Sequence, residues 1–244
     1  MNIAPMSKAG AWFDLARGGN FPSVLSNVLA ALALSTPVAA TWPDAWTGLL
    51  AAGGGVLAYA GGTTLNDVFD AGFDQRHRPD RAIPSGMISR TLAGWVGAIQ
   101  LVAGATLLLL LPAAAGLVLG LVACILLYDW LHKRWTGSVV LMAGCRMLLG
   151  LALASVPGHA FTPALVSWVI LLGGYIVVLS LLARREYLPG APKIKLGRQV
   201  GRLLAFIPFV DALALLSVGA WPVAIACALA IPLGRLAQRL SASN

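Results

Sequence analysis

The side chains best suited to chemistry are gathered at positions 66–74. Asn66, Asp67, Asp70 and Asp74 follow a long apolar run and precede Arg76, Arg78 and Arg81. Asn66, Asp70 and Asp74 are four residues apart, so they share a slowly drifting face if the helix continues. Asp67 is turned about 100° from Asn66 and lies on nearly the same side as Asp74. Four oxygen-bearing side chains within about two turns suit Mg2+, which takes carboxylates, retained waters and substrate phosphates. Carboxylates this close repel one another unless a cation or arginines offset them. Arg76, Arg78 and Arg81 can meet phosphate oxygens in a forked geometry, and Pro79, Pro84 and Gly86 shape the loop that carries the last two. The pattern predicts a divalent cation that holds a phosphorylated ligand. Exposed surface aspartates are the simpler explanation, but four of the nine acidic residues fall between 67 and 80 in a chain poor in charge. His77, alone in this loop, reads as a solvated histidine.

A second polar element, Tyr128 to Thr136, repeats the theme. Lys133 and Arg134 could close over a diphosphate, and Asp129 could ligate a second cation or orient Lys133. An interfacial anchor, where Tyr, Trp and Lys are common at span ends, accounts for Lys133 equally well. Two further charges, Arg146 and Asp211, each lie about eight residues into an apolar run, near 12 Å deep. Charges at that depth face a cavity or a partner. Their matched depth suggests an Arg146–Asp211 pair, with Arg146 alternatively reaching the diphosphate. Asn20 and Asn27 form a polar line that could face the same cavity.

These residues are positioned by a chain of 244 residues with mean hydropathy +0.83 and 11% charged side chains. Soluble domains carry roughly 25% charge. Apolar windows long enough to cross a bilayer core of about 30 Å recur throughout. Eight spans are expected, at 22–40, 48–68, 91–111, 114–131, 138–156, 163–182, 203–219 and 222–239. Alternate loops carry 16 of the 17 basic residues, Arg146 being the other. The positive-inside rule then places those loops and both termini in the cytoplasm. The expected fold is all-α, a polytopic transmembrane helical bundle in one domain, 1–244, in a membrane such as the bacterial inner membrane. The net charge of +8 follows from topology and anionic lipid and requires no nucleic acid; no obligate protein partner is implied. Runs such as Ala51-Ala52-Gly53-Gly54-Gly55 favour close helix packing over a flexible ligand-side helix end. Cys124, Cys145 and Cys227 form no disulfide framework and read as small buried hydrophobes. No serine elbow or Cys–His arrangement supplies a nucleophile.

The stretch Asn66 to Asp74, running through Arg78-Pro79 into Arg81-Ala82-Ile83-Pro84-Ser85-Gly86, resembles the first aspartate-rich motif and following loop of the UbiA superfamily of intramembrane prenyltransferases. Tyr128, Asp129, Lys133 and Arg134 are similar to that family's tyrosine and basic pair on a later cytoplasmic loop. The resemblance implies a helical bundle with a cytoplasmic-side cavity and Mg2+-assisted loss of diphosphate from an isoprenyl diphosphate donor. The isoprenyl group would pass to a hydrophobic or aromatic acceptor within the membrane. By motif position Asn66, Asp70 and Asp74 would hold the magnesium diphosphate, Asp67 would support them, and Lys133 and Arg134 would contact diphosphate. One departure stands out: the loop after the sixth span has a single acid, Glu186, where the family usually carries a second aspartate-rich motif. That makes a divergent branch, or a non-catalytic prenyl-lipid binding or transport protein, the two readings to separate.

Overall fold

The computed structural model describes residues 7–36, 44–185 and 193–239, the side chains of 193–196 excepted. Within them lie α1 (Lys8–Leu15), a 3-10 turn at Gly18–Asn20, α2 (Phe21–Ser35), α3 (Ala45–His77), α4 (Arg90–Leu110), α5 (Ala115–Leu131), α6 (Ser138–Ala154), α7 (Pro163–Arg184), α8 (Lys193–Ala205), α9 (Ile207–Ser217) and α10 (Trp221–Arg239). All regular structure among these residues is helical.

The local sequence accounts for the helix ends. Asp44 caps α3 by accepting from the Thr47 amide at 2.8 Å, satisfying one of the donors a helix start leaves open. Ser89 and Thr162 do the same for α4 and α7, and Pro163 occupies the first turn of α7, where a missing N–H is harmless. Helix α3 continues through the whole acidic motif and stops at Arg78, the residue before Pro79, where α geometry is disfavoured. Its 33 residues span about 50 Å. It therefore crosses an apolar layer and still projects the residues beyond 68 into the polar region.

Arg90–Leu110, Pro163–Arg184, the stretch Gly197–Ser217 and Trp221–Arg239 are each long and apolar enough to cross a membrane. Outward-facing Trp95, Ile99, Val102, Ile170, Leu171 and Val178 are exposed, as lipid contact requires and water would not favour. The chain is a multi-pass membrane protein. Buried Leu32, Leu153, Leu165, Trp168, Leu172 and Leu215 pack α2, α6, α7 and α9 into one core.

Several element boundaries differ from expectation. The apolar window 203–219 is split at Phe206, and Pro208 lies in the first turn of α9, where its missing N–H is harmless. Its basic approach is helical as α8 rather than loop. The far part of the first expected span, 37–40, lies outside the described residues. An amphiphilic α1, unforeseen from the sequence, precedes it. At the end that lacks basic residues, the 157–162 connection is fastened to α2: the Ala160 amide donates to the Ser35 carbonyl at 2.8 Å and the Thr162 hydroxyl to the Leu34 carbonyl at 2.6 Å.

Candidate active site

A cavity of about 560 Å³ lies between α2, α3, α5, α6 and α7, with α8 beside its mouth, within the range of ligand sites. Its α3 wall is built from Gly55, Ala58, Tyr59, Gly62, Thr63, Asn66, Asp70 and Phe73, residues at helical spacing on one face. Opposite are Tyr128, Asp129, His132 and Lys133 at the end of α5. Arg17, Arg78, Arg81, Arg146 and Arg184 complete a lining rich in positive charge.

The acidic motif divides. Asn66 and Asp70 border the cavity; Asp67 and Asp74 do not. Over the eight residues from Asn66 to Asp74 the direction turns about 80° away, whereas Asp67 and Asp74 point within about 20° of each other. Both are turned to arginines. Arg81 Nη1 lies 2.8 Å from Asp74 Oδ2 and 3.2 Å from Asp67 Oδ1, and Arg17 Nη2 reaches the same Asp67 oxygen at 3.2 Å. The Asp67 carboxylate raises the basicity of Arg17 against the opposing effect of burial. This cluster locks the loop after α3 and the turn after α1 onto the motif.

Asp70 faces cations instead. His132 Nε2 and Lys133 Nζ approach its Oδ2 at 3.1 and 3.2 Å. Asp70 lies past the apolar part of α3. Burial pushes its carboxyl upward, but His132 and Lys133 together outweigh that and hold it below the ordinary range. His132 Nδ1 lies against the Tyr128 and Asp129 carbonyls at 3.2 and 3.1 Å. Both ring nitrogens thus meet oxygens of neighbouring groups. Lys133 also sits 4.4 Å from the centre of the Phe73 ring.

Asn66 Nδ2 donates to Asp129 Oδ1 at 3.1 Å, while Asp129 Oδ2 is buried with no hydrogen-bond partner. A buried carboxylate oxygen without a partner is costly. Among the described residues no group of three His, Cys, Asp or Glu converges as a metal cluster; the cavity acids are Asp70 and Asp129. With Asn66 they form a hard-oxygen set, and the unpartnered oxygen fits a divalent ion of the Mg2+ type.

Of the expected phosphate-binding residues, Arg78, Arg81, Lys133 and Arg146 line the cavity. Arg76 is exposed at the end of α3, and exposed Arg134 lies 5.9 Å from the Trp130 ring; neither borders the cavity. Arg146 and Asp211 do not pair directly. Asn27 stands between them, accepting from Arg146 Nη1 and donating to both Asp211 oxygens at 2.9 and 2.8 Å. Asn20 does reach the cavity, donating to the Tyr59 hydroxyl at 3.1 Å.

Arg17, Tyr59, His132 and Arg184 were not singled out by sequence reasoning: Arg17, His132 and Arg184 are set apart by long gaps from the acidic motif, and Tyr59 lies within an apolar run. Arg184 Nη2 donates to the His132 carbonyl, the Trp135 carbonyl and the Ser138 hydroxyl at 2.8, 3.1 and 2.6 Å. It fixes the turn that presents His132 and Lys133. Arg184→Ala is expected to weaken binding of a prenyl thiolodiphosphate by about tenfold, the loss of roughly 1.4 kcal/mol of preorganisation. Calorimetric titration in nanodiscs measures this, and unchanged affinity would leave Arg184 a purely packing residue.

The UbiA prenyltransferase family model matches residues 24–244. The chain belongs to this family. The protoheme IX farnesyltransferase of Synechococcus sp. (strain CC9605) is 32% identical over 209 residues, covering 77% of this chain and 61% of that relative. The chain thus spans about three fifths of that relative's length. A digeranylgeranylglyceryl phosphate synthase from Methanoregula boonei is 38% identical over 74 residues, 30% of this chain and 26% of that protein. In overall fold, the chain resembles a solved UbiA homolog from Archaeoglobus fulgidus bound to DMAPP and Mg2+, with TM-score 0.59 and 14% identity over 92% of this chain and 84% of that one. A solved digeranylgeranylglyceryl phosphate synthase gives TM-score 0.62 at 17% identity, covering 96% and 94%.

Proposed function

We propose that this member of the family transfers an isoprenyl group from an allylic diphosphate to a small acceptor inside the membrane, with Mg2+ at Asn66, Asp70 and Asp129. The observation that carries the reading is the cavity's division of charge. The carboxyl groups of Asp70 and Asp129, the latter with one unpartnered oxygen, line the cavity together with Arg17, Arg78, Arg81, His132, Lys133 and Arg184. One divalent ion together with a polyanion satisfies such a set; neither does so alone.

Mg2+ bound there would supply Lewis-acid stabilisation of the departing diphosphate. The chain's own groups do the rest. His132 and Lys133, which contact Asp70, are placed to turn onto diphosphate oxygens. Arg78 and Arg81 approach from the loop after α3, and Arg81 is held in place by Asp67 and Asp74. Preorganised cations of this kind stabilise charge as it forms on a leaving group. Below them Val24, Ala58, Leu121, Ile125, Leu149 and Ile176 offer an apolar channel for the isoprenyl chain and exclude water from the allylic carbon. The acceptor supplies the attacking electrons, since among the described residues the cavity presents no enzyme nucleophile with an activating base.

We place one cation in this site rather than two. The acids on the cavity come from α3 and α5, while the α7 end contributes Arg184; Glu186 and the rest of 186–192 lie outside the described residues. Basic side chains then take the charge that a second ion would. In the membrane, eight spans with both termini cytoplasmic, as in a bacterial inner membrane, put this mouth on the side of the basic loops. One domain, 1–244, carries the whole assembly.

The test is diphosphate release from geranyl and farnesyl diphosphate by the chain in nanodiscs, with Mg2+ and with EDTA, while prenylated acceptor is followed by mass spectrometry. Metal-dependent release with product is expected. Donor binding of unchanged affinity in EDTA, with no product from any acceptor, would make the chain a prenyl-lipid binder.

A further inference from the structure

We infer that the seam between α8 and α10 holds the headgroup of an anionic phospholipid, gripped by Arg202, Arg235 and Arg239 beside Phe206 on the lipid-facing surface. The site lies outside the cavity and does not depend on the donor site proposed above. Between 187 and 244 the chain carries six basic residues and one acid, Asp211. Asp211 is fully buried and already accepts from Ser26, Asn27 and Trp168. Arg198, Arg202, Arg235 and Arg239 are exposed and make no ion pair among the described residues. Arg198 with Arg202, and Arg235 with Arg239, are like charges four apart on a helix. That spacing costs stability unless an anion offsets it.

The packing brings these rows together. Helices α8 and α10 run antiparallel: Gly234 lies against Ala205, where an added Cβ would come 3.8 Å from that of Ala205, and one turn on Gln238 Nε2 donates to the Gly201 carbonyl at 3.1 Å. In an antiparallel pair, the residues that follow each contact turn to the same side of the seam. Phe206 and Arg235 follow the first contact, and their side chains do meet. The Arg235 guanidinium carbon lies 5.3 Å from the centre of the Phe206 ring, within cation–π range. Arg202 and Arg239 follow the second contact and so take that side too. The Phe206 amide still donates to the Arg202 carbonyl at 3.1 Å, which keeps Arg198, Arg202 and Phe206 in one row. Gln238 Nε2 also donates to Asn20 Oδ1 at 3.1 Å, bracing α10 against the turn before α2. The strip is therefore formed in advance of its ligand.

Its orientation excludes the diphosphate as that ligand. Val200 and Leu204, each two residues from Arg202 and so turned about 160° from it, line the cavity. Beyond Phe206, exposed Phe209 and Leu213 continue the row along α9, with the Phe209 ring edge-on to Phe206 at 6.2 Å. Guanidinium forks above an apolar strip match an amphiphile whose phosphate sits at the interface and whose acyl chains run down the helix. A free phosphate would use the arginines alone, and an acidic protein segment has no use for Phe209 and Leu213.

The test offers the full chain, in neutral detergent, equimolar phosphatidylglycerol and phosphatidylcholine of matched acyl chains, read by native mass spectrometry. Wild type should retain phosphatidylglycerol about tenfold over phosphatidylcholine. Arg202→Gln/Arg239→Gln should bring that ratio to within about twofold of unity. Arg76→Gln/Arg134→Gln, which removes two exposed charges from elsewhere on the basic side, should leave the ratio near that of wild type. If the seam double variant does not fold, Arg202→Gln and Arg239→Gln should each lower the ratio about threefold. Excess glycerol 3-phosphate should displace none of the lipid. Equal loss of preference in both double variants would reduce the effect to bulk charge and overturn the site. A wild type indifferent to lipid charge overturns it as well, leaving the seam to an acidic protein partner. Displacement by glycerol 3-phosphate would put a soluble phosphate ester in place of the lipid, and the proposal would fall.

Discussion

Asp70→Asn is expected to lower metal-dependent diphosphate release by about 10³-fold, some 4 kcal/mol of transition-state stabilisation. The substitution preserves shape and removes the one cavity carboxylate that belongs to the acidic motif. It leaves His132 and Lys133 facing a neutral amide where they now meet a charge at 3.1 and 3.2 Å. Asp74→Asn should behave differently, although it removes the same group one turn later. Asp74 is 2% exposed, absent from the cavity wall and bonded to Arg81. Its loss should cost about 2 kcal/mol of stability, below the usual figure for a fully buried pair because Arg81 is partly exposed. Release should fall only about tenfold, through the displacement of Arg81. Steady-state rates and thermal unfolding, measured on both variants, separate the roles. A folded Asp74→Asn protein as inactive as Asp70→Asn would show that Asp74 acts on the substrate.

The contrast marks where the sequence was legible and where it was not. Spacing of four correctly placed Asn66 and Asp70 on one face, because α3 continues straight through the motif. The same rule applied once more brings the drift to about 80° by Asp74, enough to carry it from the cavity to the arginines. The relation of Asp67 to Asp74, seven apart, was the better guide to their shared fate. Depth matching brought Arg146 and Asp211 into one network, but burial depth says nothing about azimuth, so the intervening Asn27 could not be derived. Arg17 and Arg184 lie about fifty and more than a hundred residues from the motif, and nothing in linear spacing marks which of many basic residues turns inward. His132 stood beside Lys133 in plain view. Its significance comes from the carbonyls of its own helix end and from Asp70, which only the folded chain brings together. Helix α8 was read as loop because its basic residues interrupt the apolar run; an amphipathic helix at a membrane surface has that composition.

Gly61→Ala should be among the most damaging single-methyl changes in the chain. A Cβ at Gly61 would lie 2.5 Å from the Leu101 amide nitrogen and 2.8 Å from the Gly97 carbonyl oxygen; one at Gly104 would lie 2.5 Å from the Ala58 nitrogen. Those neighbours are backbone and cannot rotate away, so α3 and α4 must part. Without a hydrophobic drive between helices in lipid, close packing supplies much of their association. Overpacking of this kind costs about 1–3 kcal/mol. Because α3 carries Tyr59, Asn66 and Asp70 on its other side, the displacement should also reach the cavity and lower donor-analogue affinity. Gly72→Ala is the internal control: it lies on the same helix next to the motif, and a Cβ there meets nothing within 4 Å. It should be neutral or gain up to about 1 kcal/mol from the better helix propensity of alanine. Thermal unfolding in detergent compares the two directly. Equal stability of both variants would mean that the α3–α4 contact is looser than the structure shows, and that the acidic face is not held from behind by this pair of glycines.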